Sequence, residues 1–238
     1  MFPYDSALAA AVRNPPQTIP EVLQTMQTID GTCAGLDGLK WFNWLYLQVT
    51  QAVETRVNTG GFGDPAWLAQ LDVRFARLYF AALGAALAGS PCSGCWEAMF
   101  AVRNNAQIAR IQFALAGMNA HINHDLCQAV IATCKVTNTV PTRGSAQYND
   151  YTAVNATLNS LVDSAKQTLA VRLPGDALPP VSHLEDTIAA WNVSVAREKA
   201  WANAQLLWNE PPLAAAAWMD FIDGATAVIG KTLLVPVP

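Results

Sequence analysis

Between Gln107 and Val136 runs an apolar segment of helical periodicity, lined by Ile108, Ile111, Leu115, Met118, Ile122, Leu126, Ala129, Ile131 and Ala132. Its apolar residues are not confined to one stripe, so a helix formed here has no face to offer water and must be enclosed by others. Into the middle of it, Phe113-Ala-Leu-Ala-Gly-Met-Asn-Ala-His-Ile-Asn-His-Asp-Leu126, are set His121, His124 and Asp125, which include two of the chain's three histidines. Residues three and four apart on a helix project from neighbouring points of one surface, so His121 converges with both His124 and Asp125. Gly117, Ala114, Ala116 and Ala120 thin one side of the segment and let a neighbouring helix or a ligand approach the backbone beside His121.

An enclosed helix demands partners. With 52% hydrophobic and only 13% charged residues, a chain of 238 residues buries much of its length. Thr18, with Pro20 and Glu21 behind it, opens a helix carrying Val22, Leu23, Met26 and Ile29 as far as Gly31. Asp37 opens a longer one through Trp41, Phe42, Trp44 and Leu45, ended by Gly60-Gly61, and Asp64-Pro65 opens a third that runs to about Ala88. A short helix follows over Trp96 to Arg103, then an amphipathic one from about Ser145 to Val171. Ser182, with Glu185 three residues on, caps a helix expected to continue through Trp191, Glu198 and Trp201 to Trp208, and Leu213 to Lys231 supplies the last. No segment reads as a strand. The expectation is an all-α fold: a single-domain bundle of seven or eight helices around a long buried central helix, over residues 18–238, preceded by an irregular arm, residues 1–17, with Pro3, Pro15 and Pro16.

The central cluster is the candidate site, with His121, His124 and Asp125 as the catalytic centre. Asp72 shares a helical face with Phe75 and Tyr79, and Glu198 shares one with Trp191 and Trp201, so each is an acid placed where burial is expected. The leading expectation is a metal-dependent hydrolase acting on an apolar or amphipathic small molecule. One zinc or iron ion would be held by His121, Asp125, Asp72 and Glu198, with a position left for water. Tyr46, Phe75, Tyr79, Asn119, Arg197 and Trp201 are the expected substrate contacts. Two alternatives stand beside this. One is a metal-free acid–base enzyme, a cyclase or isomerase on an isoprenoid-like substrate, in which Asp125 orients an imidazole. The other is a non-enzymatic carrier of a hydrophobic ligand, in which a His–Asp pair bonded to Asn119, Tyr46 or Tyr79 keeps the helices in register.

Other classes are set aside. The net charge of −4 with no basic stripe argues against nucleic acid as a partner. No eighteen-residue run is free of charged or strongly polar groups, and the start lacks the pattern of a signal peptide, so a soluble cytoplasmic protein without stable membrane insertion is expected. Five cysteines suit free thiols in a reducing compartment. Cys92-Ser-Gly-Cys95 is a lone pair without partner ligands, expected to be a loop that binds no zinc. His183 reads as a surface or capping histidine. Neither Gly-x-Gly-x-x-Gly, a phosphate-binding loop, Gly-x-Ser-x-Gly nor His-Glu-x-x-His occurs, so no nucleotide cofactor is expected.

Phe42-Asn-Trp-Leu-Tyr46, Leu71-Asp-Val-Arg-Phe-Ala-Arg-Leu-Tyr79, the Gly117-Met-Asn-Ala-His-Ile-Asn-His-Asp-Leu126 helix and Ala196-Arg-Glu-Lys-Ala-Trp201 together resemble a bacterial family of helical domains of unknown function. The resemblance covers nearly the whole chain and implies the fold and the place of the site, but no chemistry. His121-Ile-Asn-His-Asp125 also resembles the His-x-x-x-Asp of helical zinc-dependent phospholipases C and single-strand nucleases. That resemblance implies at most a one-metal site, because those enzymes hold three metals with five histidines and this chain has three in all.

Overall fold

The computed structural model describes residues 2–170 and 192–236, and among these the chain is helical with no strand. The first three caps act as the sequence implies. Thr18 accepts the Glu21 N–H and starts α2 (Ile19–Thr32), Asp37 accepts the Leu39 N–H and starts α3 (Gly38–Asn58), and Asp64 accepts the Trp67 N–H and starts α4 (Pro65–Leu87). The expected arm holds a short helix of its own, α1 (Asp5–Ala11), anchored by the fully buried Leu8. After α4 come α5 (Gly94–Phe100), α6 (Arg110–Ala120), a five-residue π-helical turn (His121–Asp125) and α7 (Leu126–Thr137). The amphipathic segment divides at Val154 into α8 (Ala146–Ala153) and α9 (Asn155–Ala170). Then come α10 (Val193–Leu207) and α11 (Pro212–Leu233).

Helix boundaries depart from the sequence reading at Val154, where one expected helix is two, and at Asn192. The helix expected to run unbroken from Ser182 to Trp208 starts afresh at Val193: Asn192 is extended and its side chain accepts the Val195 N–H as a cap. The Ser182 cap, His183 and Trp191 lie outside the described residues. The short divisions, with α1, raise the number of helical segments above the seven or eight expected, while the bundle itself is as expected.

Every residue of α6 from Ile111 to Ala120 is buried, as all-round apolar character requires. Against α6, π turn and α7 pack α3, α4, α10 and α11. Contact between α3 and α6 is close enough to depend on glycine. A Cβ at Gly117 would sit 2.3 Å from the Phe42 ring, and one at Gly38 would sit 2.3 Å from the Phe113 ring. The Phe42 side chain thus lies against α6 at Gly117, one turn from His121. Gln112 donates to the Leu233 and Val235 carbonyls, both at 2.8 Å, and Asn119 donates to the Thr226 carbonyl at 2.9 Å, fixing α11 along the same helix. α11 is long and apolar enough to cross a bilayer by length and composition, and Leu213, Phe221 and Val228 on it are exposed.

Candidate functional site

The central helix does not pass through the polar cluster as regular α-helix. At His121–Asp125 it widens by one residue into a π turn, and the Leu126 N–H reaches back to the His121 carbonyl. Cys127 and Gln128 side chains donate to the His124 carbonyl. Such turns insert a residue at the cost of poorer backbone geometry, and they recur at functional sites. Here the insertion seats both imidazoles on one carboxylate. Asp125 Oδ2 lies 2.9 Å from His121 Nδ1 and accepts the Trp96 indole N–H at 2.9 Å, while Oδ1 lies 2.7 Å from His124 Nδ1. Trp96 comes from α5, and sequence reasoning gave it no part in the site.

This bonding fixes the imidazole protons. The Asp125 carboxyl is buried, which alone would raise its pKa, but the two imidazoles bonded to it hold it below the usual carboxylate value. An ionised Asp125 accepts Nδ1–H from each ring, so that in the neutral form of either ring Nε2 is the nitrogen without a proton. His121 is wholly buried, its ring stacked on Phe75 with centroids 3.5 Å apart and planes 5° off parallel, and with the Tyr46 ring edge-on at 4.6 Å. Burial lowers its pKa below the ordinary histidine value despite Asp125, so it is neutral at pH 7. The shallower His124 is raised instead: burial opposes its charge, but its bond to Asp125 outweighs that cost.

His121 Nε2 has no hydrogen-bond partner. His121 lines a cavity of about 40 Å³ between α3, α4, α9 and α10, and with Nδ1 held by Asp125, which does not line it, Nε2 is the ring nitrogen left for the cavity; the apolar wall includes Val49, Leu68, Met118, Leu126 and Leu158. The same cavity is lined by Tyr46 and Asp72, whose hydroxyl and Oδ2 are likewise buried without partners, and by Arg197. Three unpartnered polar atoms on residues around one small apolar space are uncommon in a folded core, where such groups are nearly always bonded. Neither arginine near Asp72 in sequence satisfies it: Arg74 turns to Gln70, and Arg77 to Pro16 and Gln17. Burial, reinforced by the charge of Glu54 and only partly offset by Arg197, pushes the Asp72 pKa up to about 7. Arg197 is itself buried, donating to neutral acceptors, the Asn155 side chain at 2.7 Å and the Tyr151 carbonyl at 2.6 Å.

The sequence-derived residues therefore divide. His121, Asp72, Tyr46, Phe75 and Arg197 meet at the cavity, and Asp125 stands directly behind His121. His124 points away from it, towards α5 and α11. Tyr79 packs on Phe42 and Trp96, Asn119 ties α11, and Trp201 is enclosed by Trp67, Tyr148 and Tyr151, so none of the three lines the cavity. The metal quartet of His121, Asp125, Asp72 and Glu198 is not assembled. Asp125 lies on the Nδ1 side of His121 and does not line the cavity, and Glu198 lies outside it, bonded to Arg143 and, at 2.8 Å, to the Tyr148 hydroxyl. Its longer side chain follows the exposed Arg143 and the half-buried Tyr148.

No curated protein and no solved structure matches the chain. Residues 19–236 match the profile of a family of unknown function, DUF5995. With that profile covering residues 19–236, most of its length, the chain belongs to this family.

Proposed function

We propose that the protein is an acid–base enzyme of the isomerase type, its proton transfers made by side chains alone, acting on a small, mostly apolar molecule in the cavity between His121 and Asp72. The observation that carries this reading is the His121 ring, buried and neutral, its Nδ1 held by Asp125 and its Nε2 unpartnered at the cavity. Nε2 takes a proton from the substrate. Asp125 stabilises the resulting imidazolium through the Nδ1–H bond and is a positioning residue. Asp72, protonated over much of the range up to about pH 7, gives its proton to another atom of the substrate, and after release of the product His121 loses a proton to solvent and Asp72 regains one, so the substrate is changed only in the position of one hydrogen and one double bond. Arg197 contributes a fixed positive charge to the wall, favouring a substrate in which negative charge develops during the step. A carrier needs only the apolar wall, and leaving three polar atoms unpartnered would cost it stability with no return.

Proton transfer is measured without knowing the product. Wild-type protein is incubated in heavy water with a panel of small unsaturated carbonyl compounds, and deuterium entry at carbon is followed by NMR. The expected result is catalysed exchange on at least one compound, reduced at least about a hundredfold in His121→Gln. Exchange that is absent throughout, or as fast in His121→Gln as in wild type, contradicts the proposal.

A further inference from the structure

On the far side of Asp125 from the cavity, three side chains from distant parts of the sequence come together. Ligand atoms of Cys95 on α5, His124 in the π turn and Asp223 on α11 all lie within 4.8 Å of one another. Cys95 is buried, and the other two are half-buried, so the group is closed on the protein side and reachable from solvent. Asp223 is drawn in by the backbone: its carboxylate accepts the Gly94 N–H at 2.7 Å and the Cys95 N–H at 2.9 Å. Those bonds, with the Cys95 thiol and the charge of His124, hold its pKa below the usual value against burial.

We infer that Cys95, His124 and Asp223 form a binding site for one divalent metal ion of the zinc class, distinct from the cavity at His121. Thiolate, imidazole and carboxylate are the ligand types zinc accepts, and three protein ligands leave a fourth position for water. A second observation points the same way. His124 Nδ1 is bonded to Asp125, and a metal-binding histidine usually donates its other ring N–H to a carboxylate, which fixes the tautomer with Nε2 free for the ion. Asp125 is thus the common support of two imidazoles, one at the cavity and one at the metal. On binding, the Cys95 thiol loses its proton to solvent and the sulfur–metal bond replaces the S–H bond. On this inference the Cys92–Cys95 segment, expected from the sequence to bind no zinc, gives the ion one thiol, from Cys95 on α5, completed by residues from the π turn and from α11, and Cys92 is not a ligand.

Cobalt tests this, because its tetrahedral complexes with thiolate absorb in the visible and show a sulfur-to-metal charge-transfer band. Reduced protein, stripped with chelator and dialysed, is titrated with Co²⁺. The expected result is a charge-transfer band that saturates at one Co²⁺ per chain and is bleached by Zn²⁺. The band is lost in Cys95→Ser, retained in Cys92→Ser, and shifted to at least about tenfold higher Co²⁺ concentration in His124→Gln, Asp223→Asn and the second-sphere variant Asp125→Asn. Circular dichroism verifies that each variant is folded, and a Zn²⁺-dependent rise in the wild-type melting temperature gives an independent reading. Absence of the charge-transfer band in wild type overturns the inference. So does a band that survives Cys95→Ser, or one lost in Cys92→Ser but unaffected in His124→Gln, which would mark a thiol pair in place of this site.

Discussion

Asp37→Ala is expected to lower the stability measured by urea denaturation by about 3–5 kcal/mol, the usual cost of removing one partner from a buried ion pair. Asp37 is wholly buried and serves four donors. It caps α3 through the Leu39 N–H at 3.0 Å, accepts the Tyr4 hydroxyl at 3.1 Å, and receives the Arg103 guanidinium through two bonds, one of them from Nε at 2.9 Å. Removing the carboxylate leaves Arg103, itself buried, with Asp5 as its remaining acidic neighbour at 3.0 Å. It also releases Tyr4 and with it the hold on α1. Asp5→Asn is expected to cost much less, since Asp5 lies at the edge of this group and Asp37 continues to neutralise Arg103. Equal losses in the two variants would show that Asp37 has no special weight.

The second large effect is a pH dependence. Asp72 is raised from the usual 3.8 to about 7 in the folded chain, so the unfolded chain releases the proton first as pH rises. The group therefore costs no stability below about pH 4 and an increasing amount as pH climbs through about 7. A rise from 3.8 to about 7, at about 1.4 kcal/mol per pKa unit, is about 4 kcal/mol of stability lost across that window. Asp72→Asn lacks the titration. Compared at pH 4 and pH 8, wild type is expected to lose about 4 kcal/mol relative to the variant. His121, lowered in the folded chain, acts in the opposite direction as pH falls below the ordinary histidine value, but it is present in both proteins and cancels in the comparison. A difference that stays flat from pH 4 to pH 8 would mean that Asp72 ionises as an ordinary carboxyl and is not held protonated beside His121.

Much of the fold is legible in local chemistry. Thr18, Asp37 and Asp64 each bond a backbone N–H two or three residues ahead, so their helix starts are visible in a short window of sequence. The enclosure of α6 follows from its own composition. The π turn is less legible, because nothing but the density of polar residues from Asn119 to Asp125 marks it, and no proline or glycine interrupts the run. The break at Asn192 is signalled only by a side chain able to cap, in a stretch whose apolar period continues past it.

In the site, the meeting of His121 with Asp125 follows from helical spacing, and the inward position of Asp72 follows from its neighbours Phe75 and Tyr79 on one face. Trp96 and Asp223 were invisible for the same physical reason: their partners are 29 and 129 residues away, and only the packing of α5 and α11 on the π turn brings them there. Glu198 was misplaced because a shared face fixes the direction of Cα–Cβ but not where a longer side chain ends. Its carboxylate bonds the exposed Arg143 and the hydroxyl of the half-buried Tyr148.

The central claim is that His121 carries its proton on Nδ1, towards Asp125, and presents a bare Nε2 to the cavity. A long-range proton–nitrogen correlation spectrum of the histidine rings reads this directly, with His121 assigned by its loss in His121→Gln. At pH 7 the account requires a neutral His121 ring, protonated at Nδ1, that resists protonation to below the ordinary histidine pKa. A His121 ring protonated at Nε2, or carrying both protons at pH 7, would contradict it, because neither form can accept a proton from a substrate.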